Sequence, residues 1–544
     1  MRLRSVVQLI RSFRISRSGS SVSYLILTIP VIANVARALS LRWFPTYDVG
    51  FLQLRAFDVG TRQTPLVGMP STLSDVSGTT SFHPGPLQSW LSALPVRVFS
   101  FTPVTLLLTQ AMLNVAWIVI AIHALRRSDW SRHRIKVLVI ALVFLASLGP
   151  EVVHDPWNPH AAVIPLAVAI LAASLVVLGQ SSIAWVAVLA GSFAAQCHLS
   201  FAVAGAITVL VALVGSTREA IHDAPSARRN AWLTWSVFAA CWIGPVLDQF
   251  FGHGNLGNLF GGGGGEVLGP TDAWSRFVRV LLPWRLLFDV RISPETLVSS
   301  VSWWESALAI VILVGATYLV ARRTGRVRRL GVLILTLVFG QIVITALMPV
   351  TLGTVFGLHL MRAWWPIIFA FWILGLSLLA GKWTRSVDSF SRQPFSLSVL
   401  GASAVITTVV AASYGLGDVR DGHWYRPTAN VAAALERATS VGRYDFRTVG
   451  FDFESPLAVG VVSDLVRRGY EIHVDAIVTP GLLSESRIAV NGQSTSVITV
   501  VMKRDDELVE IPDGELLFSR SFTVHEREDV VVEISAYISG ADLS

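Results

Sequence analysis

The chain has 544 residues, of which 53% are hydrophobic and only 15% charged, with a net charge of +7 and a mean hydropathy of +0.59. Soluble domains carry about a quarter charged residues, so a soluble enzyme is excluded, and so is a disordered chain. Two cysteines, Cys197 and Cys241, both in apolar stretches, exclude a disulfide scaffold.

The N-terminus carries Arg2, Arg4, Arg11, Arg14 and Arg17 ahead of an apolar run that opens at Val22. A secretory signal with a small-residue site at Ala36-Arg37-Ala38 is one reading of it. The apolar character resumes through Leu41, however, and the later spans count best if this segment stays. A bilayer needs about 20 apolar residues in a helix. Runs that approach this length predict spans over 22–41, 103–124, 137–153, 161–179, 182–197, 199–216, 232–251, 303–321, 330–350, 362–381 and 396–416, eleven in all. The stretch 182–216 is divided at its polar break, Gln196-Cys197-His198.

Residues 1–416 hold 31 Lys and Arg, and 21 of these fall in 1–21, 125–136, 217–231, 322–329 and 382–395. Those segments alternate along the chain, as cytoplasmic segments do under the positive-inside rule. Segments 42–102, 154–160, 252–302 and 351–361, and everything after 417, are then outside. Two of them are long. Their apolar stretches, Phe82–Phe101 and Ala273–Val290, are expected to lie flat at the interface as amphipathic helices. Long ordered loops carry function more often than short connectors do, so the active face is expected outside. Gly261 to Gly265 is followed by no Lys-Ser/Thr pair and so is no P-loop. It reads as a flexible outer loop.

Residues 417–544 carry 12 Lys and Arg against 21 Asp and Glu, a net of −9, behind a body of +16. This predicts two modules: a membrane body over 1–416 and a soluble extracytoplasmic α/β domain over 417–544. In the second, Thr428–Ala438 and Pro456–Arg468 read as helices. Thr448–Phe453, Glu471–Ile477, Val497–Met502 and Val530–Ser535 read as strands. It shows no Walker motif, no G-x-S-x-G and no metal spacing. The basic body lacks a patch with interleaved aromatics, so nucleic acid is not an expected partner.

The chemistry-bearing residues cluster at the outer ends of spans. Tyr47-Asp48-Val49-Gly50 follows the first span, and Asp48 there is a candidate base or metal ligand; a solvated helix-end acid is the competing reading. Phe82-His83-Pro84-Gly85-Pro86-Leu87 fixes a turn and presents His83 rigidly. Val153-His154-Asp155-Pro156-Trp157-Asn158-Pro159-His160 is dense in polar and turn-forming residues, although Asp155 and Asn158 also suit helix caps. His198 ends another span on the same side. Arg362 opens the tenth span within His359-Leu360-Met361-Arg362-Ala363-Trp364-Trp365. Arg276, Arg279, Arg285 and Arg291 line segment 252–302. A guanidinium suits phosphate through its planar fork of donors, while interfacial snorkelling explains the same arginines without a ligand.

Taken in order, Tyr47-Asp48, His83-Pro84-Gly85-Pro86-Leu87, Asp155-Pro156-Trp157-Asn158-Pro159 and Gln196-Cys197-His198 resemble the GT-C-type integral-membrane glycosyltransferases, in particular their actinobacterial, mycobacterial-type branch. The resemblance covers the membrane body, about three quarters of the chain. Val49 and the single Asp155 stand where the most familiar forms carry acidic pairs. The resemblance implies a polytopic α-helical membrane protein with a GT-C-like body. It implies a polyprenyl-phosphate sugar donor, of the arabinofuranose or mannose class, and a cell-envelope glycan, glycolipid or protein as acceptor. It also implies Asp48 at the reaction centre. His83, His154, Asp155, Asn158, His198 and His359 are then substrate-binding candidates, and Arg362, Arg276, Arg279 and Arg285 candidates for the donor phosphate. The resemblance fixes no cofactor and leaves a divalent metal ion open. A divalent ion would find its ligands among Asp48, Asp155 and His154. A transporter or lipid flippase is the rival reading, but transporters place ionisable groups inside spans and show internal repeats, and these spans are nearly free of charge. A non-catalytic envelope scaffold is a third.

Overall fold

The computed structural model describes residues 20–540 apart from 75–77, 79, 127–133, 150, 223–224, 262–265, 287–293, 354, 380–421, 475–477, 479–481, 489–495, 505–508 and 526–528. The body is built from thirteen main helices: α1 (Ser20–Ser40), α2 (Tyr47–Asp58), α3 (Leu87–Val98), α4 (Thr105–Arg126), α5 (Arg134–Leu148), α6 (Val163–Val177), α7 (Ala184–Cys197), α8 (Ala202–His222), α9 (Pro225–Phe251), α10 (Gly269–Leu281), α11 (Trp303–Ala321), α12 (Gly325–Ala346) and α13 (Trp364–Leu379). Helices run through ten of the eleven expected segments. The eleventh, 396–416, lies outside the described residues. Among the described residues six are long and apolar enough to cross a membrane: Thr105–Leu125, Asn158–Val177, Leu199–His222, Trp303–Ala321, Gly325–Ala346 and His359–Leu379. Leu27–Ser40 and Ser181–Cys197 are shorter apolar helices. The protein is thus a polytopic helical membrane protein with a C-terminal sheet domain. The chain does break at His198, between α7 and α8.

Of the two stretches expected to lie flat, the second packs its apolar face against protein. Pro84-Gly85-Pro86 does form the turn that starts α3. In the second stretch the helix begins earlier, at Gly269, and turns its apolar face into the body. Phe277, Val278, Val280 and Leu281 are fully buried, Phe277 meets Trp364 at 5.5 Å, and Trp372 donates its indole N–H to Leu281 O. An apolar helix face is satisfied by protein as well as by lipid, and composition cannot tell the two apart. Residues 287–293 and 262–265, with Arg291 and most of the glycine run, lie outside the described residues.

The tail comprises α14 (Gly422–Ala438), β1 (Arg443–Val449), α15 (Pro456–Arg467), β2 (Glu471–Val474), β3 (Ser496–Arg504), β4 (Glu515–His525) and β5 (Asp529–Gly540). The strand order is β2-β1-β3-β5-β4, with β1 parallel to β2 and β3, and β5 antiparallel to β3 and β4. The first strand lies upstream of its expected place, because the chain leaves the sheet at Gly450 (φ 81°) and Phe453 turns into the core. β4 was missed: its outer position leaves Leu516 half exposed, and its Ser and Arg residues dilute the apolar alternation that marks a strand.

Body and tail share one core. Phe44, Val49, Phe51 and Leu52 pack in a single cluster with Leu457, Val459, Val461 and Val462 of α15. Residues Val49 to Ala56 are all buried, Gln53 and Arg55 included. Gly460 allows the approach: a Cβ there would stand 2.5 Å from Pro45 O. Arg487 closes the joint from the tail side, 2.6 Å from Asp58. The expected boundary at 416/417 falls outside the described residues.

Candidate functional site

Asp48 lies in the first turn of α2, where a carboxylate is favoured by the helix dipole. The residue before it, Tyr47, has φ 44°, a left-handed conformation that strains a bulky residue by about 1–3 kcal/mol and is found preferentially at functional sites. Trp157 reaches Asp48 from a segment 109 residues away and donates its indole N–H to Oδ2 at 2.7 Å. The backbone N–H of the same Trp157 donates to Asp155 Oδ1 at 3.1 Å. The other oxygen of Asp155 accepts from His160 Nδ1 at 2.9 Å. Two carboxylates from distant segments thus meet around one tryptophan.

The loop that presents Trp157 is held from three sides. Asn114 of α4 donates to Val153 O at 2.8 Å, Gln88 of α3 donates to Pro156 O at 2.6 Å, and Asn158 donates to Cys197 O at 3.1 Å. The last bond ties the start of this helical segment to the end of α7, beside His198. Buried polar groups must be paired, and these side chains satisfy the loop carbonyls.

From Trp157 a row of rings continues outward. Trp157 and His359 lie 4.6 Å apart between centroids, His359 and His198 5.8 Å, and His198 and His83 4.3 Å. His359 sits on the short 3-10 turn Val355–Met361. His83 is fixed by its backbone, whose N–H donates to Met69 O and whose carbonyl accepts from Gly68 N. Arg55 of α2 holds the facing segment by donating to the carbonyls of Val67 and Gly68; burial pulls its pKa down to about 10, with Asp58 acting in the other direction. Gly85 must lack a side chain, because Gln196 fills the space where a Cβ would be, 2.2 Å from its Oε1. Burial, aided by His359, lowers the pKa of His83 to about 3. Burial and then His83, His359 and His160 hold His198 well below its ordinary range.

The structure therefore brings Asp48, His83, Asp155, Asn158, His198 and His359 into one connected cluster. His154, next to Asp155, is buried. Arg362 is placed differently: its guanidinium stacks 5.0 Å from the Trp365 ring, with Leu148 O at 3.4 Å. Arg276 donates to Asp272 O, Arg279 to Ser300 O, and Arg285 pairs with the buried Glu305. Among the described residues no group of three His, Cys, Asp or Glu side chains is arranged to hold a metal ion.

Several residues escaped sequence reasoning. Trp157 and His160 were visible only as parts of a motif, without roles. Asp248 and Asn255 were not singled out at all. Buried Asp248 accepts from the backbone of His253 and Asn255, and Asn255 pairs with both backbone groups of Phe82, next to His83. The one signal for this arm was an acid at the end of an apolar span.

Beside the cluster runs an apolar groove of about 270 Å³ between α1, α4, α5, α6, α12 and α13. Its wall extends along α6 from Ile164 to Leu178 and along α13 from Pro366 to Ser377. Ile164 and Pro366 lie about one helical turn beyond His160 and Arg362 respectively.

No family model matches the chain, and no curated protein matches it. Two solved structures are similar to it in shape. One is ArnT from Cupriavidus metallidurans in the apo state, with a TM-score of 0.48 and 14% identity, covering 92% of this chain and 97% of that one. The other is ArnT from the same organism bound to undecaprenyl phosphate, with a TM-score of 0.43 and 14% identity, covering 94% and 97%.

Proposed function

We propose that this protein is a GT-C-type glycosyltransferase that moves a sugar from a polyprenyl-phosphate donor to a cell-envelope glycan, glycolipid or protein on the external face of the plasma membrane. The observation that carries the reading is the meeting of Asp48 and Asp155 around Trp157, with three histidines continuing from it. Four motifs separated along the chain serve one place, as a site does and as a set of unrelated helix ends does not.

In the reaction, the acceptor hydroxyl oxygen bonds to the anomeric carbon while the bond from that carbon to the phosphate oxygen breaks. Asp48 takes the hydroxyl proton. The lipid phosphate leaves with the bonding electron pair and needs donors or cations to offset its charge. Arg362, at the end of the apolar groove, suits that phosphate, and the groove suits the polyprenyl tail. Arg276, Arg279 and Arg285 are the second choice, since no residue of the segment that carries them lines the groove. Asp155, held by His160, orients Trp157 and through it Asp48. His154, Asn158 and His359 are proposed to contact substrate. Arabinofuranose or mannose is the proposed sugar class, the N-terminus is placed in the cytoplasm and the tail outside. The tail packs on the segment that carries Asp48, which supports one face for both.

Purified protein incubated with labelled decaprenyl-phospho-sugars and an envelope glycan acceptor should give labelled glycan. Movement of the intact lipid across a vesicle membrane without sugar transfer would instead make the protein a flippase.

A further inference from the structure

We propose that His83 and His198 form an uncharged, two-donor receptor for the non-bridging phosphoryl oxygens of the lipid-linked phosphate. The proposal deepens the functional reading above and rests on it.

The argument begins with hydrogen positions. The backbone N–H of Leu199 points at His83 Nδ1 at 3.2 Å, and the backbone N–H of Ser200 points at His198 Nδ1 at 3.3 Å. A backbone N–H can only donate, so both Nδ1 atoms must be lone-pair acceptors. In a neutral ring the hydrogen then sits on Nε2. Ser200 Oγ, 2.9 Å from His198 Nδ1, completes the same pattern as a second donor. The chain break at His198 thus aims two successive amides at two different imidazoles and fixes the tautomer of each.

Charge follows the same logic. The rings are 4.3 Å apart, and His359 stands 5.8 Å from His198. Two imidazolium ions at that distance in a buried site would repel strongly. Both rings are buried, and both are held far below the ordinary histidine range by burial and by their histidine neighbours. The groups facing them are other histidines (His359 and His160), Ser200 and the edge of Phe201, and among the described residues no carboxylate contacts either ring. The rings are therefore neutral at physiological pH.

What remains is the Nε2–H of each ring. Neither meets a hydrogen-bond partner among the described residues. Two fixed groups that only donate match oxygens that only accept. A sugar hydroxyl both donates and accepts, and would leave its own proton unpaired here. A phosphodiester offers two non-bridging oxygens that only accept, and the donor in the proposed reaction brings one.

The test uses the full chain in nanodiscs and a decaprenyl methyl phosphodiester, whose single charge does not titrate between pH 5 and 8. His83→Phe and His198→Phe keep a ring but lose the donor, and each should weaken binding about tenfold. His83→Gln and His198→Gln keep an N–H donor and should stay within about threefold of wild type. Nitrogen NMR of histidine-labelled protein should show both rings in the Nε2–H form from pH 5 to 8, with their Nε2 signals moving when the phosphodiester is added. Phe variants that bind like wild type, or rings that titrate near pH 6.5, overturn the receptor alone. No affinity of the wild-type protein for the phosphodiester overturns the polyprenyl-phosphate reading, and the receptor with it.

Discussion

The indole nitrogen of Trp157 lies 2.7 Å from Asp48 Oδ2. This bond couples the helix that follows the first span to the Asp155 loop, and it fixes one carboxylate oxygen of Asp48 while the other stays available to a substrate proton. If Asp48 is the base, Asp48→Asn keeps the shape and can still accept from Trp157, but it cannot take a proton. Turnover should fall by about 10²–10⁴-fold. Donor affinity should stay within about threefold, and the loss in stability should be under ~1 kcal/mol. Steady-state rates, donor binding and thermal unfolding of the one variant check all three. Turnover near wild type would end the mechanism.

Trp157→Phe separates the indole N–H from the ring. The backbone bond to Asp155 and the contacts to His160 and His359 remain available, so stability should change by only about 0.5–1.5 kcal/mol. Turnover should nevertheless fall about tenfold, because Asp48 loses its orientation. In the double variant with Asp48→Asn the two losses should fall well short of adding, as expected for groups that act together.

Arg362 and Arg285 are both outer-face arginines by sequence, and the structure separates them. Arg362→Ala should weaken binding of a polyprenyl phosphate by about tenfold or more, the roughly 1.5–3 kcal/mol of a hydrogen bond to a charged group, with little change in melting temperature. Arg285→Ala should do the opposite. It leaves Glu305, 1% exposed, without its cation, at a cost of about 1–3 kcal/mol, while phosphate affinity holds. Parallel binding and unfolding measurements would reverse the assignment if the two results were exchanged.

Gly460→Ala tests the joint between tail and body. The new Cβ would meet Pro45 O at 2.5 Å and Thr428 Cγ2 at 2.6 Å, and backbone on one side leaves little room to yield. Overpacking of this kind costs about 1–3 kcal/mol. Turnover should fall with it, because the displaced contact lies on the segment that leads into Asp48. Full activity in this variant would show that the site does not depend on the docked tail.

The helical class, the break at His198 and the four motifs were legible because each is local: an apolar run, a Pro-Gly-Pro turn, a polar patch between two spans. The pairing of the motifs was not. Trp157 and Asp48 are 109 residues apart, and nothing in either segment states that the indole will point at the carboxylate. The arm from Asp248 through Asn255 to Phe82 escaped for the same reason, since an asparagine that satisfies another segment's backbone leaves no pattern of its own. Charge set the tail apart from the body in composition, yet it hid their shared core. The contact is made by Val49, Phe51 and Leu52 on one side and Leu457 and Val459 on the other, all apolar, so it left no trace in the charge balance.

That shared core has a consequence for the order in which the protein matures. The ribosome delivers Asp48 early and residues 456–467 almost last, so α2 waits through most of synthesis with the face meant for α15 uncovered. Until the tail arrives, the turn carrying Tyr47 and Asp48 lacks the packing that α15 supplies to the helix behind it. A chain that stalls or is cut short after its last span would therefore sit in the membrane as an inert intermediate. Competence would be conferred by completion of the polypeptide, and partial products would be kept from acting on lipid-linked sugar.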